Sequence, residues 1–224
     1  MEANAAMTPQ PFVYVAFGDS ITFAVNKFGV TEETAFRGIV ARELEPALGR
    51  PVRAHNAGVG GDITTQAIDR LEIAVIPRAP DLVTVMFGVN DAGFYRPDTD
   101  SFADTPRVTL DGFRHALTEI VTRIQQSDAA IVLLTPLPMN KHYWGVDLKP
   151  YVDNGLNYLV CQYAQAARDV AAERGVALVD TYAHFDSHPE TVDMVPDGIH
   201  PNPDGHRVIA DLLLPAVRRT LGLA

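Results

Sequence analysis

The chain has 224 residues, 47% of them hydrophobic and 21% charged, with a formal net charge of -10. That is apolar content enough for one sizeable core, and the acidity excludes a partner held through a phosphate backbone, which needs a concentrated basic surface. A single cysteine, Cys161, excludes an internal disulfide framework and a paired-thiolate metal site.

The first eleven residues lack a basic start and an apolar run before a cleavage site, and no 18-residue apolar stretch follows. The chain therefore reads as cytoplasmic with no membrane span, although a secreted protein stripped of its leader would look the same. Residues 1–11 are expected to form a loosely ordered extension of one domain covering 1–224. Residues 13–17 are apolar and β-prone, and they run into Gly18, Asp19 and Ser20. This pattern is a buried strand that delivers a hydroxyl at its carboxyl end, the edge where open parallel sheets hold ligands. A serine that merely caps the following helix would look the same in isolation.

Phe36, Ile39, Val40, Leu44 and Leu48 then recur at helical spacing, closed by Gly49. A short strand over 52–55 ends in the run Asn56-Ala57-Gly58-Val59-Gly60-Gly61-Asp62. Ala67, Ile68, Leu71 and Val75 form a helix face that stops near Pro77, and residues 82–87 form a third strand that ends in Gly88-Val89-Asn90-Asp91. A long amphipathic helix begins at Leu110, and 130–134 is a fourth strand. Cys161 lies among Leu156, Leu159, Val160, Tyr163, Ala167 and Val170, a spacing that predicts a helix with a core thiol. Residues 176–179 make a fifth strand. Asn202 and Pro203 read as the cap and first residue of a last helix. Strands that alternate with helices, apolar along most of their length, signal a parallel sheet covered on both faces.

Four motifs fall just past strand ends or just before a helix, and together they offer what acyl transfer requires. A serine needs a base to become a nucleophile. His200 would take its proton, and Asp197 would orient and stabilise the imidazolium. The oxyanion wants donors set in advance: the Ser20 amide, an amide from the glycines of 58–61, and the Asn90 side chain. The acids Asp19, Asp62 and Asp91 are expected to hold local turns. His55, His115, His184 and His188 read as surface or packing residues. A metal held by His200 and His206 with Asp197 or Asp204 would leave Ser20 and Asn90 without a use. No Gly-x-Ser-x-Gly or Walker motif occurs.

Gly18-Asp19-Ser20-Ile21, Gly61-Asp62, Gly88-Val89-Asn90-Asp91 and Asp197-Gly198-Ile199-His200 resemble, in order and spacing, the four blocks of the SGNH (GDSL-type) hydrolases. The resemblance spans nearly the whole chain. It implies Ser20 as nucleophile, Asp197 and His200 as its partners, and Ser20, Gly61 and Asn90 as the oxyanion hole. Gly61 is preferred to Gly60 because Asp62 follows it as the block requires. The resemblance also implies a flavodoxin-like α/β/α sandwich whose five parallel strands run in the order 2-1-3-4-5, and no metal or cofactor.

Two long connections, 92–105 and 139–150, carry Phe94, Tyr95, Tyr143 and Trp144 as candidate substrate contacts. Loops of that length often shape a pocket, and aromatics with a polar tip suit a sugar face or a short acyl group. The leading expectation is an esterase that acts on short acyl esters, acetyl groups on a carbohydrate above all. An acyl-CoA thioesterase or lysophospholipase would use the same triad, and a catalytically silent binding domain would share the fold.

Overall fold

The computed structural model describes residues 10–223; all but two residues of the expected N-terminal extension lie outside that range. Five strands form one parallel sheet: β1 (Phe12–Gly18), β2 (Val52–Gly58), β3 (Leu82–Met86), β6 (Ala130–Leu134) and β7 (Ala177–Val179). Their spatial order is β2-β1-β3-β6-β7, every pair parallel. That is the expected 2-1-3-4-5 arrangement, with one small hairpin placed between the third and fourth strands. The hairpin, β4 (Tyr95–Arg96) and β5 (Ser101–Phe102), lies in the first long connection. At two residues per strand it is too short for an alternating pattern to announce it.

The centre of the sheet explains the strand sequences. All five residues of β3 are buried, and from Tyr14 to Gly18 so is β1. Strands covered on both faces have no solvent side for polar residues, so their apolar runs are continuous. Helices α2 (Phe36–Leu48) and α8 (Pro203–Thr220) pack together on one side. On the other lie α3 (Thr64–Ala74), α4 (Leu110–Gln125) and α6 (Val160–Arg174). Gly49 ends α2 in the left-handed conformation, and the Asn202 side chain caps α8 through the Gly205 amide, both as expected.

Cys161 corrects the core-thiol expectation, because it is exposed. Leu156 and Leu159, the first two residues of the apolar spacing, lie between α5 (Lys149–Asn154) and the start of α6 rather than on the helix. Within α6 the buried residues are Val160, Tyr163, Ala164, Ala166, Ala167, Val170 and Ala171, and Cys161 falls on the opposite face.

Candidate active site

The turn after β1 decides what Ser20 can do. Asp19, not Ser20, caps the short helix α1 (Ser20–Phe23), its Oδ1 accepting from the Ile21 amide at 2.9 Å. The serine hydroxyl is thereby left free of capping. No side chain fits at position 18: a Cβ there would lie 2.2 Å from Thr22 Oγ1 and 2.6 Å from the Met86 carbonyl. Glycine is what lets the serine turn sit against β3.

The last block folds as a local turn. One oxygen of Asp197, Oδ1, accepts from the Ile199 and His200 amides at 3.1 and 2.8 Å. The other, Oδ2, lies 2.7 Å from His200 Nδ1. Gly198 has φ +88°, and a Cβ would meet the Tyr143 backbone at 2.3 Å. The block is therefore pressed against the second long loop, where only glycine fits. His200 Nε2 in turn lies 2.8 Å from Ser20 Oγ, 180 positions away in the chain. Ser20 and His200 are each 8% exposed, so the pair is shielded yet reachable. Burial pushes the Asp197 carboxyl upward, but the hydrogen bonds from His200 outweigh it and hold the group at about 2. Asp197 is thus an anion wherever the protein would work.

The expected oxyanion donors lie on the turns after β1, β2 and β3. Asn90 Nδ2 donates to the Asp62 carbonyl at 3.1 Å and makes a longer 3.3 Å contact with Asp19 Oδ2. Gly61 lies in a turn closed by Asp62 N to Val59 O at 3.3 Å, and its carbonyl accepts from Arg107 Nη1 at 2.5 Å. Ser20 opens α1, so its amide has no partner within that helix.

Asp62 and Asp91 do more than hold local turns, which corrects that expectation; only Asp19 caps locally. Asp62 Oδ2 accepts from Arg70, whose Nε lies at 2.9 Å, and the same guanidinium reaches the Ala57 and Gly18 carbonyls at 3.1 and 3.3 Å. Asp91 Oδ1 accepts from the Thr64 amide and hydroxyl at 2.9 and 2.5 Å, joining the end of β3 to the start of α3. Burial pushes Asp19 up to about 7 and Asp91 up to about 6, and it raises Asp62 against the pull of Arg70.

The aromatic candidates separate. Tyr95, Tyr143 and Trp144 line a cavity of about 60 Å³ with Val89, Asn90, Gly93, Arg107, Met139 and Ile199. Trp144 is 60% exposed and packs edge-on against Tyr95, with its ring 4.5 Å from Phe102. Phe94 is buried, its ring against Tyr151, so it supports the wall from behind. His206 is also buried, stacked on Phe36 with its Nδ1 facing the Phe36 amide.

Three residues at the site had no signal in the sequence. Arg70 and Arg107 brace the loop after β2, and Arg70 also reaches the end of β1. Lys27 brings its ammonium to 3.1 and 3.2 Å from His200 Nε2 and Nδ1. A contact 173 positions apart leaves no local pattern to read.

The sheet and its helices form a doubly wound α/β frame with a serine and an imidazole in hydrogen-bond contact at its carboxyl edge. Residues 16–208 match the GDSL-like lipase/acylhydrolase family, and the chain belongs to it. It is a carboxylic ester hydrolase. The chain is 28% identical over 172 residues to an acetylxylan esterase of Geobacillus stearothermophilus, covering 75% of this chain and 73% of that protein. It is 24% identical over 206 residues to the human isoamyl acetate-hydrolyzing esterase 1 homolog, covering 91% and 80%. The crystal structure of the lipase/acylhydrolase from Enterococcus faecalis shares the fold with a TM-score of 0.74 at 24% identity, over 95% of this chain and 97% of the other. Among the described residues no helix is long and apolar enough to cross a membrane.

Proposed function

We propose that the protein hydrolyses acetyl and similarly short acyl esters, with a carbohydrate alcohol as the leaving group, through Ser20, His200 and Asp197. The observation that carries the reading is the unbroken chain from Ser20 Oγ to His200 Nε2 at 2.8 Å and from His200 Nδ1 to Asp197 Oδ2 at 2.7 Å. Neutral His200 accepts the Ser20 proton as Oγ attacks the ester carbonyl, and the Asp197 anion keeps Nδ1 protonated and offsets the charge that forms on the ring. The tetrahedral oxyanion takes hydrogen bonds from the Ser20 and Gly61 amides and from Asn90 Nδ2. The long contact of Asn90 with Asp19 is one that a charged oxygen would readily replace. His200 then returns the proton to the departing alcohol, and water repeats the sequence on the acyl-enzyme.

The short acyl limit rests on the cavity beside Asn90. At about 60 Å³ it is a small, partly open recess suited to a group of acetyl size. The carbohydrate reading rests on the exposed indole and phenol faces at its rim, a surface suited to the apolar face of a sugar, and on the acetylxylan esterase relative. A series of p-nitrophenyl esters tests the limit. Acetate and propionate are expected to turn over, with kcat/KM falling steeply from butyrate onward. Octanoate hydrolysed as fast as acetate would contradict it.

A further inference from the structure

The ammonium of Lys27 sits where the proposed triad has no use for it. His200 Nε2 has one in-plane lone pair, which faces Ser20 Oγ at 2.8 Å, while Lys27 Nζ, 3.1 Å from Nε2 and nearly as close to Nδ1, lies over the face of the ring, where no lone pair points. His200 Nδ1, 3.2 Å from Nζ, already meets Asp197. Once the ring carries its second proton, both nitrogens are donors and neither can accept from lysine. Among the described residues Lys27 also makes no ion pair with a carboxylate. It is a cation held at the catalytic imidazole with its hydrogen bonds uncommitted.

Its placement is built into the chain. Lys27 stands at the tip of a turn closed by Asn26 N to Val30 O at 3.1 Å and Val30 N to Lys27 O at 2.9 Å. Ala24, Asn26 and Phe28 all have positive φ, at 58°, 69° and 47°. Such conformations are costly for residues other than glycine and persist where the surroundings impose them. Those surroundings are a small core of Ala24, Val30 and Ala35, while buried Arg37 grips the Thr22 carbonyl at 2.7 Å.

Resting on the triad reading above, we infer that Lys27 is a catalytic residue that stabilises the leaving alkoxide. When the tetrahedral intermediate collapses, the bond from carbonyl carbon to leaving oxygen breaks and its electron pair stays on that oxygen. The proton that neutralises it comes from His200 Nε2, so the oxygen must lie within hydrogen-bond reach of that nitrogen. Lys27 Nζ occupies the same neighbourhood. It donates a charge-assisted hydrogen bond to the oxygen as negative charge develops and keeps its own protons. A sugar or alkyl alcohol leaves as a basic alkoxide and gains from this contact. Nitrophenoxide spreads its charge over the ring and gains little.

The test compares leaving groups. Wild type, Lys27→Met and Lys27→Arg are assayed for kcat/KM on ethyl acetate and p-nitrophenyl acetate, with folding checked by circular dichroism. Lys27→Met is expected to lose about tenfold or more on ethyl acetate beyond its loss on p-nitrophenyl acetate, the size of a charged hydrogen bond made in the transition state. Lys27→Arg restores part of the difference. Equal effects on the two esters, whether both fall or neither does, or a larger loss on p-nitrophenyl acetate, would overturn the role. Ser20→Ala, run alongside, separates this outcome from failure of the triad itself: if that variant keeps its turnover on both esters, the triad is wrong whatever Lys27 does.

Discussion

The carboxyl ends of β1, β2 and β3 and the two long loops that face them are built on opposite terms. On the strand side, Asp19, Asp62 and Asp91 are each at most 4% exposed and each is tied to a second element or a turn. Arg70 alone joins the ends of β1 and β2 to Asp62. On the loop side, Trp144 is 60% exposed and Tyr95 sits on a hairpin of two-residue strands. Bond-making groups need positions fixed within a fraction of an ångström, and the crowded strand ends supply that. A surface that recognises a leaving group can be built from rings packed mainly on one another. The difference predicts that changes on the strand side abolish turnover or alter stability, whereas changes on the loop side alter affinity.

His200→Ala, on the loop just before α8, removes the base on which the strand-side serine depends and is the severest test of that side. With Ser20 and Asp197 in place but no base between them, kcat on p-nitrophenyl acetate is expected to fall by about 10⁴-fold or more, since triad members act as a unit. A variant that folds and keeps a tenth of wild-type turnover would break the comparison at its centre.

The next effect falls on stability. An unfolded aspartate ionises near 3.8, while burial lifts folded Asp19 to about 7. Between those values the folded chain holds a proton that the unfolded chain releases, so Asp19 makes the protein less stable as pH rises from about 4 to 7. His206 acts in the opposite sense. Burial, then Arg37 and His200, lower it to about 3, so it takes stability away as pH falls below its ordinary 6.5. Comparing Asp19→Asn with wild type cancels the histidine. Asparagine keeps an oxygen to cap Ile21, and the variant's advantage should grow with pH across that window by at most about 1.4 kcal/mol per unit. Urea unfolding at pH 5 and pH 7 checks it; a difference independent of pH would show that Asp19 is ionised in both states.

Trp144→Ala, on the loop side, should have the smallest effect. Removing the exposed indole is expected to raise KM for an acetylated xylooligosaccharide by several-fold, in keeping with about 0.5–1.5 kcal/mol for an aromatic contact, with kcat little changed. A fall in kcat with KM constant would mean that the wall positions the reacting atoms.

The same contrast explains what the sequence made legible. A parallel sheet covered on both faces was readable because β1 and β3 are apolar along their length, its strand order came with the family resemblance, and the first and last blocks showed because Asp19 and Asp197 each bind amides of their own turn. Gly18 and Gly198 stand where no Cβ fits, and Asp197 binds the amides two and three residues on. What stayed hidden depends on distance or on helix phase. Lys27 reaches His200 across 173 positions, Arg107 reaches Gly61 across 46, and Cys161 turned outward because α6 begins later than its apolar neighbours suggested. Helix α7 (Thr181–Ser187), capped by Asp180 directly after β7, is too short for a periodic signal.

The proposed chemistry requires one serine among the several in this chain to attack the ester. A serine-directed organophosphonate, followed by peptide mass spectrometry, tests it most directly. One equivalent of adduct is expected, on Ser20, with loss of esterase activity in proportion to labelling and no adduct on His200→Ala under the same exposure. Stoichiometric label on any other serine, or full activity after Ser20 is labelled, would contradict it.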